Sequence, residues 1–355
     1  MSKAFRELLK KVGSGTHTGE NLTRLEAAEA TRMMLLEEAT PAQIGAFMIS
    51  HRIKRPTGEE LAGMLDAYEE LGPKLHPNTR FSSQAIVLGI PYDGRSRTAP
   101  ISPLTALILT AAGVPTIMHG GDRMPTKEGI PLIEIWQNLG VDWTKLLLSQ
   151  TQQIFDSTGL GFIYIPKHFP LAANLVPYRD QIGKRPPFAT LELMWSPYAG
   201  DANIICGFVH PPTENMFREA LGLRGVQRFT TVKGLEGSCD LPRDRTAIIG
   251  IAKPGQEFER LLLAHGDYGF SSKNPPLEST PQLIAQMQSV LQGEDSEMME
   301  SALWNGGFQL WNAGVCADMQ DGIEAAKDIL TSGKAAEKLS EISQAVTATQ
   351  LVYQN

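Results

Sequence analysis

Polar residues able to bind an anion follow two predicted strands in the first third of the chain. The apolar run Ala85–Leu88 predicts a buried strand, and the turn Gly89–Arg95 follows it. The run 114–118 predicts a second strand, which leads into the polar, glycine-rich turn His119–Arg123. Because the backbone amides of such turns and the guanidinium groups of arginines both bind phosphate, the two turns predict a phosphate or diphosphate site.

A predicted helix joins the two strands and places their turns together. It covers 104–112, with Ser102 as the N-cap, Pro103 in the first turn and Gly113 at its end. Parallel strands joined by a helix have their carboxyl ends at the same edge of the sheet, where α/β proteins bind their ligands. The start of this helix also favours a phosphate, because its free amides carry partial positive charge.

The same reasoning predicts the elements of the rest of the chain. Residues 1–80 read as helices, because Thr23 and Thr57 each stand three residues before a glutamate, as in a capping box, and Thr40 precedes a proline. Strands are predicted over 163–166, 204–209, 229–232 and 246–251, and helices over 130–139, 213–221 and 281–331. The run 258–263 fits either a strand or a short helix.

The composition favours a globular protein of a reducing compartment. The chain has 355 residues, of which 42% are hydrophobic and 20% charged, so it can bury a sizeable core. Its three cysteines, Cys206, Cys239 and Cys316, form no CxxC pair, which argues against a structural zinc site and a disulfide framework. No signal peptide or membrane-spanning run is recognisable, so a cytoplasmic protein without a membrane partner is predicted. The net charge of −7 argues mildly against a surface built throughout for nucleic acid.

The order and spacing of these segments resemble the anthranilate phosphoribosyltransferase family, a glycosyltransferase family with the class II nucleoside phosphorylase fold. Where the family has GTGGD, an Asn-x-Ser-Thr helix start, KHGN-R and SSKSG, this chain has GIPYD, PISP, MHGGDR and TKEG (89–93, 100–103, 118–123 and 126–129). The segment 168–188 resembles the family's APVRxxLGxR region, and the end of the chain resembles its closing helices. The resemblance extends from end to end, and the scaffold motifs are better kept than the active-site motifs.

The resemblance implies an α/β fold with a small all-α domain. The α-helical domain would comprise residues 1–80 and a returning segment near 168–183, and the α/β domain would comprise residues 81–355. The α/β domain would carry the anion-binding turns on a central mixed, mostly parallel sheet flanked by helices, with the site in the cleft between the domains. A homodimer through the helical domain is also implied.

The same resemblance implies a transferase of tryptophan biosynthesis. In the family, an aromatic amine attacks C1′ of phosphoribosyl diphosphate as diphosphate leaves, and the protein contributes mainly positioning and charge stabilisation, without a nucleophilic side chain. The residues at the diphosphate-binding positions are Gly89, Asp93, Gly94, Arg95, Ser102 and Lys127. The acceptor, a small aromatic acid, would contact His119, Gly120 and Arg179, because a guanidinium suits a carboxylate. Magnesium would be held by Asp240, with Glu236 as a further candidate ligand.

Several positions depart from the family pattern. Pro91 and Tyr92 replace glycine-type residues of the first turn, which removes an amide donor and hinders the close approach of a ligand. Cys239 replaces one of the two acids of the metal pair, and the affinity for magnesium is expected to fall because this ion prefers oxygen ligands. Glu192 stands where the family has glycine, and it is an unfavourable residue for a phosphorylated substrate.

The cations of the predicted cleft leave three functions open. Those expected to converge on an anion are Arg95, Arg97, Lys127, Arg179 and Lys233. The first function is phosphoribosyl transfer, with either anthranilate or an altered acceptor. The second is that of a non-catalytic relative that binds nucleic acid through a basic cleft, for which residues 1–55 offer nine Lys and Arg against six Asp and Glu. The third and weaker function is that of a nucleoside phosphorylase-like enzyme.

Overall fold

A seven-stranded sheet forms the centre of the protein in the computed structural model, which describes residues 3–15 and 18–352. The strands are β1 (Ala85–Gly89), β2 (Thr116–Gly120), β3 (Leu160–Tyr164), β4 (Ala202–Gly207), β5 (Phe229–Val232), β6 (Ala247–Ala252) and β7 (Glu259–Leu263). Their order across the sheet is β3-β2-β1-β4-β5-β6-β7. The strands from β3 to β5 in this order run parallel, and β6 and β7 are antiparallel to their neighbours, so the sheet is mixed and mostly parallel, as predicted.

Helices form a small domain at the start of the chain and cover both faces of the sheet. The helices of the small domain are α1 (Lys3–Gly13), α2 (Arg24–Leu35), α3 (Pro41–Lys54) and α4 (Gly58–Leu71). Those that follow are α5 (Ser102–Ala111), α6 (Leu132–Asn138), α7 (Leu148–Thr158), α8 (Ile165–His168), α9 (Pro170–Ala173), α10 (Val176–Ile182), α11 (Phe188–Leu191), α12 (Pro211–Leu223), α13 (Thr280–Leu291), α14 (Glu297–Asn312), α15 (Met319–Thr331) and α16 (Lys334–Val352). None of the helices in the described part of the chain combines the length and apolar character that a membrane crossing requires.

Local signals explain the starts of the helices in the small domain. The hydroxyl groups of Thr23, Thr40 and Thr57 each accept a hydrogen bond from the backbone three residues on, and each reciprocal bond of the capping box is present. The capping predictions at Thr23 and Thr57 are therefore confirmed. At Thr40 the reciprocal partner is Gln43, which completes a third box that was not predicted from the sequence.

The sheet separates two apolar cores. Alternate residues of β1 point to opposite faces: Ile86 and Leu88 join one core, and Ala85 and Val87 join the other. The first core is closed by helices α5, α6 and α13–α16, and the second joins the sheet to the helices of the small domain. Because the small domain shares this second core, it is fixed against one face of the sheet.

Several predicted boundaries are wrong, and long-range pairing explains them. The second strand continues to Gly120, since His119 and Gly120 pair with β3. The third strand begins at Leu160 and ends before Ile165, which starts a helix. Helix α5 begins at Ser102 rather than after it, and no side chain caps it. The ambiguous run 258–263 is resolved as β7, because it pairs along the length of β6.

Candidate functional site

The first turn, 89–95, packs against the segment that carries Lys127. The amide of Gly129 donates to the carbonyl of Asp93 at 3.0 Å, and Arg95 and Ile130 exchange backbone bonds of 3.2 and 2.8 Å. Gly94 has a φ of +71°, and a Cβ there would lie 2.5 Å from the Ile130 carbonyl oxygen, so only glycine fits. The ammonium of Lys127 donates to the Gly94 carbonyl at 2.7 Å. The fold thus brings these predicted diphosphate residues together.

Arg95 is buried beneath this turn and is held by acids from the turn that follows β5. Its side chain is only 2% exposed. The Nη1 group donates to Asp240 at 2.8 Å and to the hydroxyl of Ser238 at 2.7 Å, and the Nη2 group donates to the hydroxyl of Thr98. The Nε atom lies 3.4 Å from Glu236. A guanidinium satisfied in this way is a structural cation of the site rather than a free anion receptor.

The carboxylate of Glu236 contacts both backbone amides and cationic side chains. Its carboxylate accepts the amides of Arg97 and Thr98 at 3.0 Å each, and the Lys127 ammonium lies 2.8 Å away. Burial alone would raise the pKa of Glu236. The hydrogen bonds from Lys127 and the Thr98 amide, together with the charge of Arg95, instead hold this pKa well below its usual value. Glu236 is therefore ionised at neutral pH.

Asp240 fixes the start of α5. It accepts the hydroxyl of Ser102 at 2.7 Å and the amide of Ile101 at 3.0 Å. Ser102 was predicted as the N-cap, but its hydroxyl is turned to Asp240 and makes no cap bond. Cys239 lies next to Asp240, and burial followed by the charge of Asp240 raises the pKa of its thiol well above the ordinary value. Cys239 is therefore a neutral thiol, which is a poor ligand for a hard cation.

The residues at the predicted magnesium position do not fit the ion. Asp240 and Glu236 already contact Arg95, and Glu236 also contacts Lys127. Magnesium requires oxygen ligands in near-octahedral geometry, and these carboxylates are filled by the cations of the protein. Over residues 3–15 and 18–352, no group of three or more His, Cys, Asp or Glu side chains is arranged to hold a metal ion.

The end of β2 supplies a buried histidine. The Nδ1 atom of His119 forms a hydrogen bond with the hydroxyl of Tyr92 from the first turn, and the ring of His119 packs edge-on against Trp195. His119 is fully buried, and desolvation lowers its pKa to about 3. It is therefore neutral, and its visible contacts are those of a packed core group. Gly120 is the last residue of β2 and pairs with Tyr164.

Arg179 lies in a separate buried pair with Glu192. Arg179 is 3% exposed, its Nη2 group donates to Glu192, and its Nη1 group lies 2.9 Å from the sulfur of Met124. The second carboxylate oxygen of Glu192 has no hydrogen-bond partner among the described residues. Burial raises the pKa of Glu192 although the charge of Arg179 opposes this shift. The adjoining cavity of about 20 Å³ has room for roughly one water molecule.

The predicted convergence of five cations on one anion is therefore wrong in part. Arg95, Lys127 and the exposed Arg97 gather around Glu236, but Arg179 is neutralised elsewhere by Glu192. Lys233 follows β5, and its ammonium makes no ion pair with the described part of the chain. Around both Glu236 and Glu192, a carboxylate of the chain itself occupies the position at which the cations were expected to bind an anion.

An open groove between the small domain and the α/β domain adjoins the first turn. It has a volume of about 370 Å³, and its lining includes Arg52, Pro91, Arg185, Phe208, His210 and Glu236. Arg52 comes from the end of α3 and donates to the backbone carbonyl of Arg185 at 2.6 Å. The Nε atom of Arg185 lies 2.9 Å from Asp93. We refer to this feature as the interdomain groove.

Sequence reasoning did not single out Arg52 or Arg185 as site residues. Arg185 is on the segment that resembles the APVRxxLGxR pattern, which was the one available signal. Arg52 is 133 residues from Arg185 in the chain, and only the packing of the two domains brings them together. Another cavity of 350 Å³ lies beside Arg224 and the start of β4, at the opposite edge of the sheet from the turns. The interdomain groove is therefore the cavity of ligand size at the edge where parallel sheets bind ligands.

Comparisons with known proteins agree over both domains. Residues 6–72 match the family model described as "Glycosyl transferase family, helical bundle domain", and residues 93–336 match "Glycosyl transferase family, a/b domain". An anthranilate phosphoribosyltransferase of Paracidovorax citrulli is 30% identical over 320 residues, which cover 89% of this chain and 91% of the relative. That of Azorhizobium caulinodans is 28% identical and covers 97% of each chain.

Solved structures show the same fold. The anthranilate phosphoribosyltransferase of Thermus thermophilus aligns with a TM-score of 0.80 at 21% identity, covering 98% of this chain and all of the other. The Saccharomyces cerevisiae protein, in complex with PRPP and Mg, aligns with a TM-score of 0.81 at 15% identity, covering 97% and 98%. Neither nucleic-acid binding nor nucleoside phosphorolysis finds support in these relatives.

Proposed function

Because this chain belongs to the glycosyl transferase family that contains the anthranilate phosphoribosyltransferases, we propose that it transfers a phosphoribosyl group from phosphoribosyl diphosphate to an aromatic amine. In this reaction the amine nitrogen bonds to C1′, and the C1′–oxygen bond breaks. Its electron pair leaves with the diphosphate, and the amine releases a proton. The observation that carries the proposal is the interdomain groove, which places two arginines beside the first turn.

The groove is the proposed site of the phosphorylated donor. Its volume of about 370 Å³ lies within the range of small-molecule sites, roughly 300–1,000 Å³. Arg185 contacts Asp93 through Nε, and its two terminal amino groups form no hydrogen bond within the described part of the chain, so they can donate to a diphosphate. Arg52 stands beside it, fixed by its bond to the Arg185 carbonyl. Two guanidinium groups at one wall would stabilise the charge that develops on the leaving diphosphate.

The predicted diphosphate residues take a supporting role in this proposal. Asp93 orients Arg185, and Gly94 receives the Lys127 bond that ties the first turn to the neighbouring segment. Gly89 ends β1, where a Cβ would lie 2.1 Å from the Leu193 carbonyl oxygen, so it allows the chain to pass there. Arg95 and Ser102 hold the turn through Asp240. These residues position the groove wall rather than contact the donor directly.

The acceptor is proposed to differ from anthranilate. Arg179, which the resemblance assigns to an aromatic carboxylate, is already paired with the carboxylate of Glu192. The carboxylate of anthranilate would have to displace the carboxylate of Glu192. Glu192 is part of the protein and therefore loses no translational freedom when it pairs with Arg179. His119 and Gly120 are buried at the end of β2 and contribute packing. We therefore favour an aromatic amine that lacks the acid group.

The remaining parts of the proposal concern the organisation of the protein. We propose that residues 1–80 and the returning segment near 168–183 form the helical domain, and that residues 81–355 form the α/β domain. We also propose homodimerisation through the helical domain, which carries the exposed apolar residues Leu25 on α2 (83%) and Ile53 on α3 (63%). We also propose a cytoplasmic location and a place in tryptophan biosynthesis, for which the family is the only support.

A transfer assay tests the proposal. The full chain is incubated with phosphoribosyl diphosphate and a panel of aromatic amines that includes anthranilate and aniline-type compounds, and diphosphate release is followed. We expect release that depends on an amine without a carboxylate and exceeds that with anthranilate. Absence of release with every amine would contradict the proposal, and stronger release with anthranilate would contradict the altered acceptor.

A further inference from the structure

We propose that Arg95 and Lys127 serve as built-in cations in place of a divalent metal, so that the acids of this site bind no magnesium. The residues at the predicted metal position do not meet the requirements of the ion. The proposal depends on the proposed function only for the expected position of the ligand. The positions of the charges themselves are independent of any ligand.

Arg95 contacts both acids of the predicted metal site, Asp240 and Glu236. One guanidinium reaches Asp240 through Nη1 and Glu236 through Nε, with separations of 2.8 and 3.4 Å. The remaining oxygen of Asp240 accepts the hydroxyl of Ser102 at 2.7 Å. The second oxygen of Glu236 accepts the ammonium of Lys127 at 2.8 Å. Each of the four carboxylate oxygens therefore has a donor from the protein.

The charges also balance without a metal. Two buried carboxylates, Glu236 and Asp240, contact two cations, Arg95 and Lys127, whose charges balance, and the exposed Arg97 near Glu236 adds one further positive charge. A divalent cation could enter only by displacing Arg95, whose side chain is 2% exposed and pairs with no other acid of the described residues. Burying an unpaired guanidinium is strongly unfavourable, and the displacement is therefore opposed.

The neighbouring residues reinforce this arrangement. Cys239, which replaces the other member of the adjacent acid pair, is buried and offers sulfur in place of a carboxylate oxygen, whereas magnesium prefers oxygen ligands. The turn that carries Glu236 is held in place by amide bonds from Arg97 and Thr98, so that the acid cannot easily rotate toward solvent. Arg97 is 79% exposed and lies 3.8 Å from Glu236, so it is the cation of this cluster that can meet a phosphate of the ligand.

Manganese(II) tests the inference directly, because the electron paramagnetic resonance signal of the free ion falls when the ion is bound. The wild-type full chain is titrated in the absence of donor and acceptor. We expect the free-ion signal at millimolar manganese to match that of buffer. Stoichiometric binding that Asp240→Asn abolishes would overturn the inference.

A variant that gains manganese binding provides a second test. The double variant Arg95→Ala, Lys127→Ala frees both carboxylates, and we expect its manganese affinity to rise at least about tenfold above that of wild type. If the double variant does not fold, as judged by circular dichroism, Lys127→Met alone frees one oxygen of Glu236 and is expected to show a smaller rise. A folded variant with wild-type affinity would overturn the assignment of these cations.

A matched control excludes a general effect of charge. Arg123→Ala also removes one cation from an ion pair, but this pair with Glu134 is 44% and 27% exposed and lies outside the cluster. We expect it to leave manganese binding at the wild-type level, and equal gains in both variants would contradict a specific site. Because no phosphoribosyl diphosphate is present, failure of the transfer assay and failure of this inference remain distinguishable.

Discussion

The guanidinium of Arg95 and the carboxylate of Asp240 lie 2.8 Å apart, and each side chain is only 2% exposed. They join the first turn of the sheet to the turn that follows β5, across 145 positions of the chain. This ion pair lies at the base of the first turn, and Asp240 also fixes the start of α5 through its hydrogen bond with Ser102. Glu236, which also contacts Arg95, lines the interdomain groove and connects this pair to it.

Removal of Arg95 is expected to destabilise the protein strongly. Arg95→Met leaves Asp240 buried without its cation, and breaking one partner of such a pair costs about 3–5 kcal/mol. The free energy of unfolding can be measured by urea denaturation. The double variant Arg95→Met, Asp240→Asn should recover part of the loss, because the unpaired charge is removed. A single variant with wild-type stability would contradict the structural role of Arg95.

Protonation of His119 is expected to make the protein sensitive to acid. Burial lowers its folded-state pKa from 6.5 to about 3, so between these values the unfolded chain binds the extra proton and the folded protein does not. Stability therefore falls as the pH decreases through this window, by up to about 1.4 kcal/mol per pH unit for one group. Thermal unfolding of His119→Asn should show a shallower decline with acid than wild type does. Equal slopes would show that His119 is not the group responsible.

Glu192 is expected to control access of carboxylates to Arg179. Glu192→Gly removes both the negative charge and the side chain that occupies the space beside Arg179, so Arg179 becomes available to a small carboxylate such as acetate. We expect calorimetric binding of acetate to strengthen by about tenfold or more, equivalent to about 1.4 kcal/mol. Glu214→Gly is the matched control, because Glu214 is also buried and pairs with Arg260 at 2.7 Å, away from this region. Similar gains in both variants would contradict the prediction.

The exposed face of the small domain is expected to form the dimer contact. Leu25 is 83% exposed on α2, and Leu25→Asp would place a charge in an apolar interface. Light scattering coupled to size exclusion should show the mass of a dimer for wild type and of a monomer for this variant. Leu262→Asp, at a site that is 61% exposed on β7, should leave the mass unchanged. A monomeric wild-type protein would contradict the dimer.

Features that depend on neighbours in the chain could be predicted from the sequence. The capping boxes at Thr23 and Thr57 follow from residues three positions apart, and β5 matches its predicted range of 229–232. The two turns were placed correctly at one edge, because parallel strands joined by a helix leave few alternatives. The mixed sheet and the small helical domain were available from the family resemblance.

Features that depend on distant residues could not be predicted in the same way. Ser102 was predicted as a helix cap, but its hydroxyl binds Asp240, which is 138 positions away. The role of Glu192 as the partner of Arg179 and the meeting of Arg52 with Arg185 both require the packed domains. Charge counts along the chain could not show which cations are free, since Arg95 and Arg179 are neutralised by acids from other segments.

The most direct test of the proposed function is calorimetric titration of the protein with phosphoribosyl diphosphate. We expect micromolar binding by wild type. The double variant Arg52→Gln, Arg185→Gln should lose about tenfold or more in affinity, and Arg245→Gln, whose arginine lies outside the groove, should show no change. Binding should be the same with magnesium and with chelator, apart from complexation of the free ligand. No heat at millimolar donor, or binding that the two groove substitutions leave intact, would contradict a donor site in the interdomain groove.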